Sequence, residues 1–334
     1  MPLTTTYFGV RYPMTPSPSR SDVGDLVERC AVLASLLEVS GYPKPGNVHR
    51  TRDTSKTRFE QFLAGAVAIG PAMKELAQRG YDAGRGHLGL GEIGLGDQIL
   101  RAVREAGAWQ GGGNVNLGII LLLSPLAAAS GLHLSENERI DLCRLRRDLG
   151  RIIRASTPRD TLGIYRAIRI AVSPRVLGRV EALDVLDDET LTRVEKEGVT
   201  PLRVFEECRR RDSICEEWVT DFSITFTLGY PYLKGVLGET GDINTAVVHT
   251  YLHILSRVPD SLIERKSGKE AALRVSRMAI EALEEGGLTT PEGRRRVLEM
   301  DEELHKAGGD LNPGTTADLT ASSLYLLLIE GWRP

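Results

Sequence analysis

The sequence predicts an all-α fold, and three observations carry that expectation. Apolar residues recur at helical spacing along almost the whole chain, and no run of four or more residues alternates like a half-buried strand. The interruptions between periodic stretches are short, polar and Gly-rich, as helix connections are. A chain of 334 residues fits one large helical domain. The expected organisation is a flexible arm over 1–20, rich in Pro, Ser and Thr, then a single helical bundle over 21–334. That bundle should hold about ten or more helices, with functional loops at their ends.

The elements follow from caps and periodicity. Ser21 and Asp22 precede Val23, Leu26, Cys30, Leu33 and Leu37, giving a first helix that stops near Gly41. Phe59, Phe62, Leu63, Ala66, Val67, Met73 and Leu76 give a second, bent at Pro71. Further helices are expected at about 95–107, 116–131 and 136–155, the last opened by a capping-box spacing of Ser135 and Glu138. Others fit about 160–172, 188–197, 201–228, 242–257, 268–285, 291–306 and 315–330, with Pro201 and Pro291 as first-turn prolines. The apolar run 117–132 is short for a membrane span and contains Ser124 and Pro125, so a buried core helix is expected and no membrane association.

Charge and cysteine content exclude some function classes. With 42 Lys and Arg against 45 Asp and Glu, the net charge of −3 gives no electrostatic case for nucleic acid. Cys30, Cys143, Cys208 and Cys215 form no C-x-x-C pair, which predicts reduced, buried thiols and a cytoplasmic location. A homodimer is an allowed assembly.

The loops hold the residues able to do chemistry. Tyr42-Pro43-Lys44-Pro45-Gly46-Asn47-Val48-His49-Arg50 combines restraint from two prolines, close approach at Gly46 and two cations suited to phosphate. An ordinary helix connection with solvated charges explains the same spacing about as well. Gly89, Gly91 and Gly94 spell a dinucleotide fingerprint, yet 81–87 is no strand, so that reading is rejected. The same stretch carries Glu92 and Asp97, echoed by Glu239 and Asp242 in a second Gly-rich turn. Such oxygens suit Mg²⁺, which keeps waters and substrate phosphates as its other ligands. Plain N-capping explains Asp97 and Asp242 equally simply. Asn114 and Asn116 precede the most apolar helix, where capping accounts for one and a ligand contact for the other. Asp260 and Arg265 lie in a mixed-charge turn, and Thr315, Thr316 and Asp318 open the last helix. His249 and His253 are four apart but lack a third ligand for zinc.

Taken as an ordered set, these loops resemble the triphosphoribosyl-dephospho-CoA synthase family. Glu38-Val39 with Pro43-Lys44-Pro45-Gly46-Asn47-Val48 is similar to its Glu-Val, Pro-Lys-Pro-Gly, Val segment. Asp260-Ser261 with Arg265 and Gly268 resembles its Asp-Thr-Asn and Arg-Gly-Gly loop, and Pro313-Gly314-Thr315-Thr316-Ala317-Asp318-Leu319 its Pro-Gly-Gly-Ser-Ala-Asp-Leu. Two departures point to a divergent branch, like the archaeal and methylotroph relatives. Asn114-Val115-Asn116-Leu117-Gly118 stands where the family reads Asn-Thr-His-Lys-Gly, and Arg52-Asp53-Thr54-Ser55-Lys56 replaces its Gly-Ala-His and Asp-Met segment.

The resemblance implies transfer of a triphosphoribosyl group from ATP to the 2′-hydroxyl of dephospho-CoA, with loss of adenine. Under it, Glu38, His49, Asp260 and Asp318 are the expected catalytic residues, with Glu38 or His49 as base. Lys44, Gly46, Asn47, Arg50, Asn114, Asn116, Arg265, Thr315 and Thr316 are expected to bind substrate, and Glu92, Asp97, Glu239 and Asp242 to hold Mg²⁺. Three other readings stay open: a ribosyl transferase acting on another cofactor such as tetrahydromethanopterin, a Mg²⁺-dependent nucleotide hydrolase, and a non-catalytic nucleotide-binding protein.

Overall fold

A computed structural model describes residues 18–55, 57–111, 116–172 and 183–334. Among them the regular elements are all helical, and one isolated bridge joins His49 to Arg52. Helix α1 (Arg20–Ser40) starts earlier than expected, because Ser19 and Asp22 form a reciprocal capping box. Arg20, the last residue of the expected arm, therefore opens α1 with Ser19 as its cap, and 1–17 lies outside the described residues. At Pro71 the expected bend is a full break between α2 (Phe59–Ala68) and α3 (Gly70–Gly84).

After a short 3-10 turn (Leu90–Glu92) come α4 (Leu95–Gln110) and α5 (Leu117–Glu136). Helix α5 is the axis of the fold. By length and hydropathy it is able to cross a bilayer, contrary to the expectation that the run is too short, yet 89% of its most apolar window is buried inside the protein. Small residues let α3 press against it: a Cβ on Gly80 would lie 2.0 Å from the Ala128 carbonyl oxygen, and one on Gly131 1.8 Å from that of Ala77. Ser135 ends α5 instead of capping the next helix, its hydroxyl donating to Leu132 at 2.7 Å. The cap of α6 (Leu142–Ala155) is Asp141, with Arg144 N–H donating to it at 3.0 Å.

Helices α7 (Pro158–Ala171) and α8 (Asp188–Glu197) agree with expectation. The single helix expected over 201–228 is instead α9 (Pro201–Cys208), α10 (Ser213–Val219) and a π-helical turn (Ile224–Gly229). Asp212 recaps the chain at α10, and Asp221 and Phe222 take left-handed φ of 50° and 60° while Phe222 is fully buried. Core packing of Phe222 overrides local preference there. The turn also joins Cys208 to Cys215 in a disulfide, their Cα atoms 5.9 Å apart, and Cys143 is exposed. Only Cys30 is the buried free thiol expected of all four, so the cysteines no longer argue for a reducing compartment.

Then follow α11 (Tyr230–Thr240), α12 (Ile243–Arg257), α13 (Ser261–Ser267), α14 (Lys269–Glu284), α15 (Pro291–Lys306) and α16 (Gly314–Ile329). Helix α13 lies within what the sequence read as a loop. The main core gathers on α5 and α16; a second, built from Val248, Tyr251, Leu252, Val275, Val297, Met300 and Leu304, joins α12, α14 and α15. The Pro-rich loop lies at the seam between them: Tyr251 donates its hydroxyl to Pro45 at 2.8 Å, and a Cβ on Gly46 would lie 2.8 Å from Leu304.

Candidate active site

Glu38 faces inward from the last turn of α1, because Gly41 stops the helix and the following prolines fold the chain back beneath it. Lys44, fully buried, donates to the Glu38 carboxylate and, at 3.0 Å, to its carbonyl oxygen. Burial pushes the Glu38 carboxyl up and the Lys44 ammonium down, and each partner opposes the shift of the other. The expected phosphate-binding lysine is therefore inside the protein in an ion pair.

Asp318 stands in the first turns of α16, with its carboxyl against the first turn of α5, where the nearby Ile119 N–H favours its charged form. The two helix starts are in direct contact, since a Cβ on Gly118 would lie 1.9 Å from Asp318 Oδ2. Burial, followed by the carboxylates of Glu38, Asp260 and Asp212, pushes the Asp318 carboxyl well above the ordinary range. Asp318 keeps partial exposure, whereas Glu38, Lys44 and Asp260 do not.

Asp260 ties two helix starts together. One oxygen accepts from Leu262 and Ile263 N–H at 2.9 and 3.0 Å; the other accepts from Thr316 N–H and its hydroxyl, both at 2.8 Å. Burial raises its pKa, and these donors oppose the rise. Ser261 donates to Thr315 at 3.0 Å, completing the junction. Arg265 is paired with Asp212 at 2.5 Å on the outer side.

The rest of the Pro-rich loop is fastened from behind by residues that motif reading did not find. Asp301 accepts from Gly46 N–H at 3.0 Å and lies 2.9 Å from His305 Nδ1, 3.3 Å from His49 Nε2 and 3.3 Å from Arg52. Thr51 N–H donates to His49 Nδ1 at 3.4 Å, so Nδ1 is an acceptor and Nε2 carries the proton given to Asp301. Both His49 nitrogens are thus engaged, and the residue is not presented as a free base. Burial raises the Asp301 carboxyl, but the His305 and His49 contacts outweigh it and hold it below the usual range. Asn47 donates to Asn312 at 2.9 Å. Arg50 donates to Ser40 O and to Asn244, whose side chain also brackets the Tyr42 backbone. The only sequence signal for this anchor is the four-residue spacing of Asp301 and His305 on one helix face.

The expected metal ligands do not converge. Glu92 is exposed and accepts from Gly89 N–H at 2.7 Å; Asp97 is exposed and paired with Arg159 at 2.8 Å. Asp242 caps α12, with Thr245 N–H donating to it at 2.9 Å, and Glu239 lies exposed near the end of α11. Among the described residues no group of three or more His, Cys, Asp or Glu is arranged to hold a metal. Asn114 lies outside the described residues, while Asn116 is buried as the N-cap of α5. The convergent set is accordingly Glu38, Lys44, Asp260, Thr315, Thr316 and Asp318, flanked by Asp212 and Arg265.

Comparison with known proteins gives one consistent result. The CitG family model, described as ATP:dephospho-CoA triphosphoribosyl transferase, matches residues 25–334. A Pseudomonas fluorescens protein assigned as 2-(5''-triphosphoribosyl)-3'-dephosphocoenzyme-A synthase is 29% identical over 325 residues, covering 95% of this chain and 94% of that one. The Klebsiella pneumoniae synthase of the same name is 25% identical over 325 residues, covering 92% and 91%. A crystal structure assigned as an Archaeoglobus fulgidus triphosphoribosyl-dephospho-CoA synthase superposes with a TM-score of 0.62 at 30% identity, covering 83% of this chain and all of that one. On the span of the family match, the helical fold and the ordered loops, this chain belongs to the ATP:dephospho-CoA triphosphoribosyl transferase family.

Proposed function

We propose that this transferase moves the triphosphoribosyl group of ATP to a hydroxyl of dephospho-CoA, releasing adenine, and that the reaction takes place in the cytoplasm at the α1, α5, α13 and α16 junction. The observation that supports this most is Asp318. Breaking the C1′–N9 bond leaves the electron pair on adenine, which needs a proton to depart as a neutral base. Burial and three surrounding carboxylates push the Asp318 carboxyl well above the ordinary range, which favours the protonated acid, and its partial exposure lets it meet a ligand. The carboxylate formed when Asp318 gives up that proton then takes the proton of the attacking hydroxyl as the new C1′–O bond forms, which restores the acid.

The other groups have supporting roles in this reading. Glu38 is held in its ion pair with Lys44 and sets the field at Asp318, while Lys44 balances its charge. Asp260 positions Thr315 and Thr316 by fixing the start of α16. Arg265 faces outward and suits the phosphate tail. Glu92, Asp97, Glu239 and Asp242 do not fit a single ion site, so Mg²⁺ is assigned to the triphosphate as its escort, with no step routed through it.

Acceptor dependence tests the reading. Protein, Mg²⁺ and ATP should release adenine only when dephospho-CoA is added, with a product equal in mass to both substrates less adenine. Adenine release without an acceptor would make the protein a hydrolase. Release only with a different hydroxyl acceptor would refute dephospho-CoA as the substrate.

A further inference from the structure

The start of α5 carries one acceptor too many. Asn116 is its N-cap residue, and an Asn there ordinarily accepts through its side-chain oxygen from the N–H two or three residues on. No such bond is made, and the Asp318 carboxyl of α16 lies against the same turn, its Oδ2 1.9 Å from where a Cβ on Gly118 would stand. Asn116 is only 3% exposed, and its Oδ1 is buried with no hydrogen-bond partner among the described residues. A buried acceptor left unmet loses its hydration without compensation, so its persistence calls for a donor from outside the chain.

Resting on the reading of this junction as the donor site, we propose that Asn116 and Asp318 together read the N7 and N6 edge of the departing adenine. Adenine offers an acceptor at N7 beside a donor at its exocyclic amine. The acid proton of Asp318 complements N7, and the idle Asn116 Oδ1 complements the amine. Guanine presents acceptors at both N7 and O6 and would set O6 against Asn116 Oδ1. A purine lacking the amine would leave Asn116 unmet. The same pair thus selects the base and delivers the leaving-group proton, at the point where Gly118 allows the two helix starts to touch.

The test compares ATP, GTP and purine riboside triphosphate as donors, with dephospho-CoA fixed, for wild type and Asn116→Leu. Wild type should favour ATP over purine riboside triphosphate by about 10- to 100-fold in kcat/KM, the range one buried hydrogen bond gives. Asn116→Leu should bring the two within about threefold, mainly by slowing ATP, with an unchanged or raised Tm because the oxygen has no partner to lose. Retention of the wild-type preference by the variant would overturn the proposal, as would a variant whose only change is a raised KM for dephospho-CoA. Calorimetric binding of ATP and purine riboside triphosphate to wild type is independent of turnover. Tighter ATP binding supports base reading even if no base is released, in which case only the transferase reading fails; equal affinities, or binding of neither, overturn it.

Discussion

Two sets of carboxylates in this protein look alike in sequence and differ in everything physical. Glu92, Asp97, Glu239 and Asp242 lie at helix ends beside glycines, and all are exposed, satisfied by backbone donors or a surface arginine, or left in solvent. Glu38, Asp260 and Asp318 also lie at helix ends, yet they share one junction, and there burial moves all three pKa values upward. The contrast teaches that a helix-end acid acquires chemistry from its surroundings, and the turn that carries it says little. Water screens the first set; the protein leaves the second to interact with one another.

The largest expected effect lies in the buried set. Lys44→Ala should lower unfolding free energy by roughly 3–5 kcal/mol, because the Glu38 charge would be left buried without its cation. Denaturant titration of Lys44→Ala, Glu38→Ala and the double variant measures it. The double variant should regain part of the loss, and strict additivity would break the contrast by showing the pair to be uncoupled.

Glu217 sharpens the comparison, being a buried acid with no ion pair among the described residues, accepting from Ile224 and Thr225 N–H. Burial pushes its carboxyl up to about 7, the hydrogen bonds to Thr225 and Ile224 opposing. Its folded pKa is thus above its unfolded value, so the folded state holds the proton longer. Stability should therefore fall as pH rises from about 4.5 to about 7, by up to roughly 3 kcal/mol, and level off above that. Glu217→Gln should flatten this part of the stability profile. A wild-type profile that already lacks the slope contradicts the assignment.

The exposed set should respond least. Asp242→Ala removes the α12 cap and should cost about 1 kcal/mol by denaturant titration. Glu239→Gln and Glu92→Gln should stay within about 0.5 kcal/mol and leave the Mg²⁺ dependence of adenine release unchanged. A rise of tenfold or more in the Mg²⁺ requirement of either would restore them as metal ligands.

Much of the fold was legible because helix caps and periodicity are local. Asp188–Glu197 and Pro291–Lys306 begin at an Asp cap and a first-turn Pro, and both match their expected spans. The breaks after Cys208 and Val219 were not legible, since apolar spacing continues through them and burial of Phe222 decides the path. At the site, the sequence pointed to Glu38, Lys44, Asp260 and Asp318, which share one junction, but the pairing of Lys44 with Glu38 was not legible. Whether Lys44 points to solvent or to Glu38 depends on the prolines folding the chain inward. The Asp301 anchor was invisible because its contacts, at Gly46 and His49, are more than 250 residues away in sequence.

The most direct test of this account is adenine release by Asp318→Asn in the presence of ATP, Mg²⁺ and dephospho-CoA. An amide matches the shape of the protonated carboxyl where it packs on Gly118, so the fold and its Tm should be kept. It has no acidic proton to give. The account predicts a fall in kcat of about 10²- to 10⁴-fold with little change in the KM for ATP. Full turnover by a folded Asp318→Asn variant would contradict it.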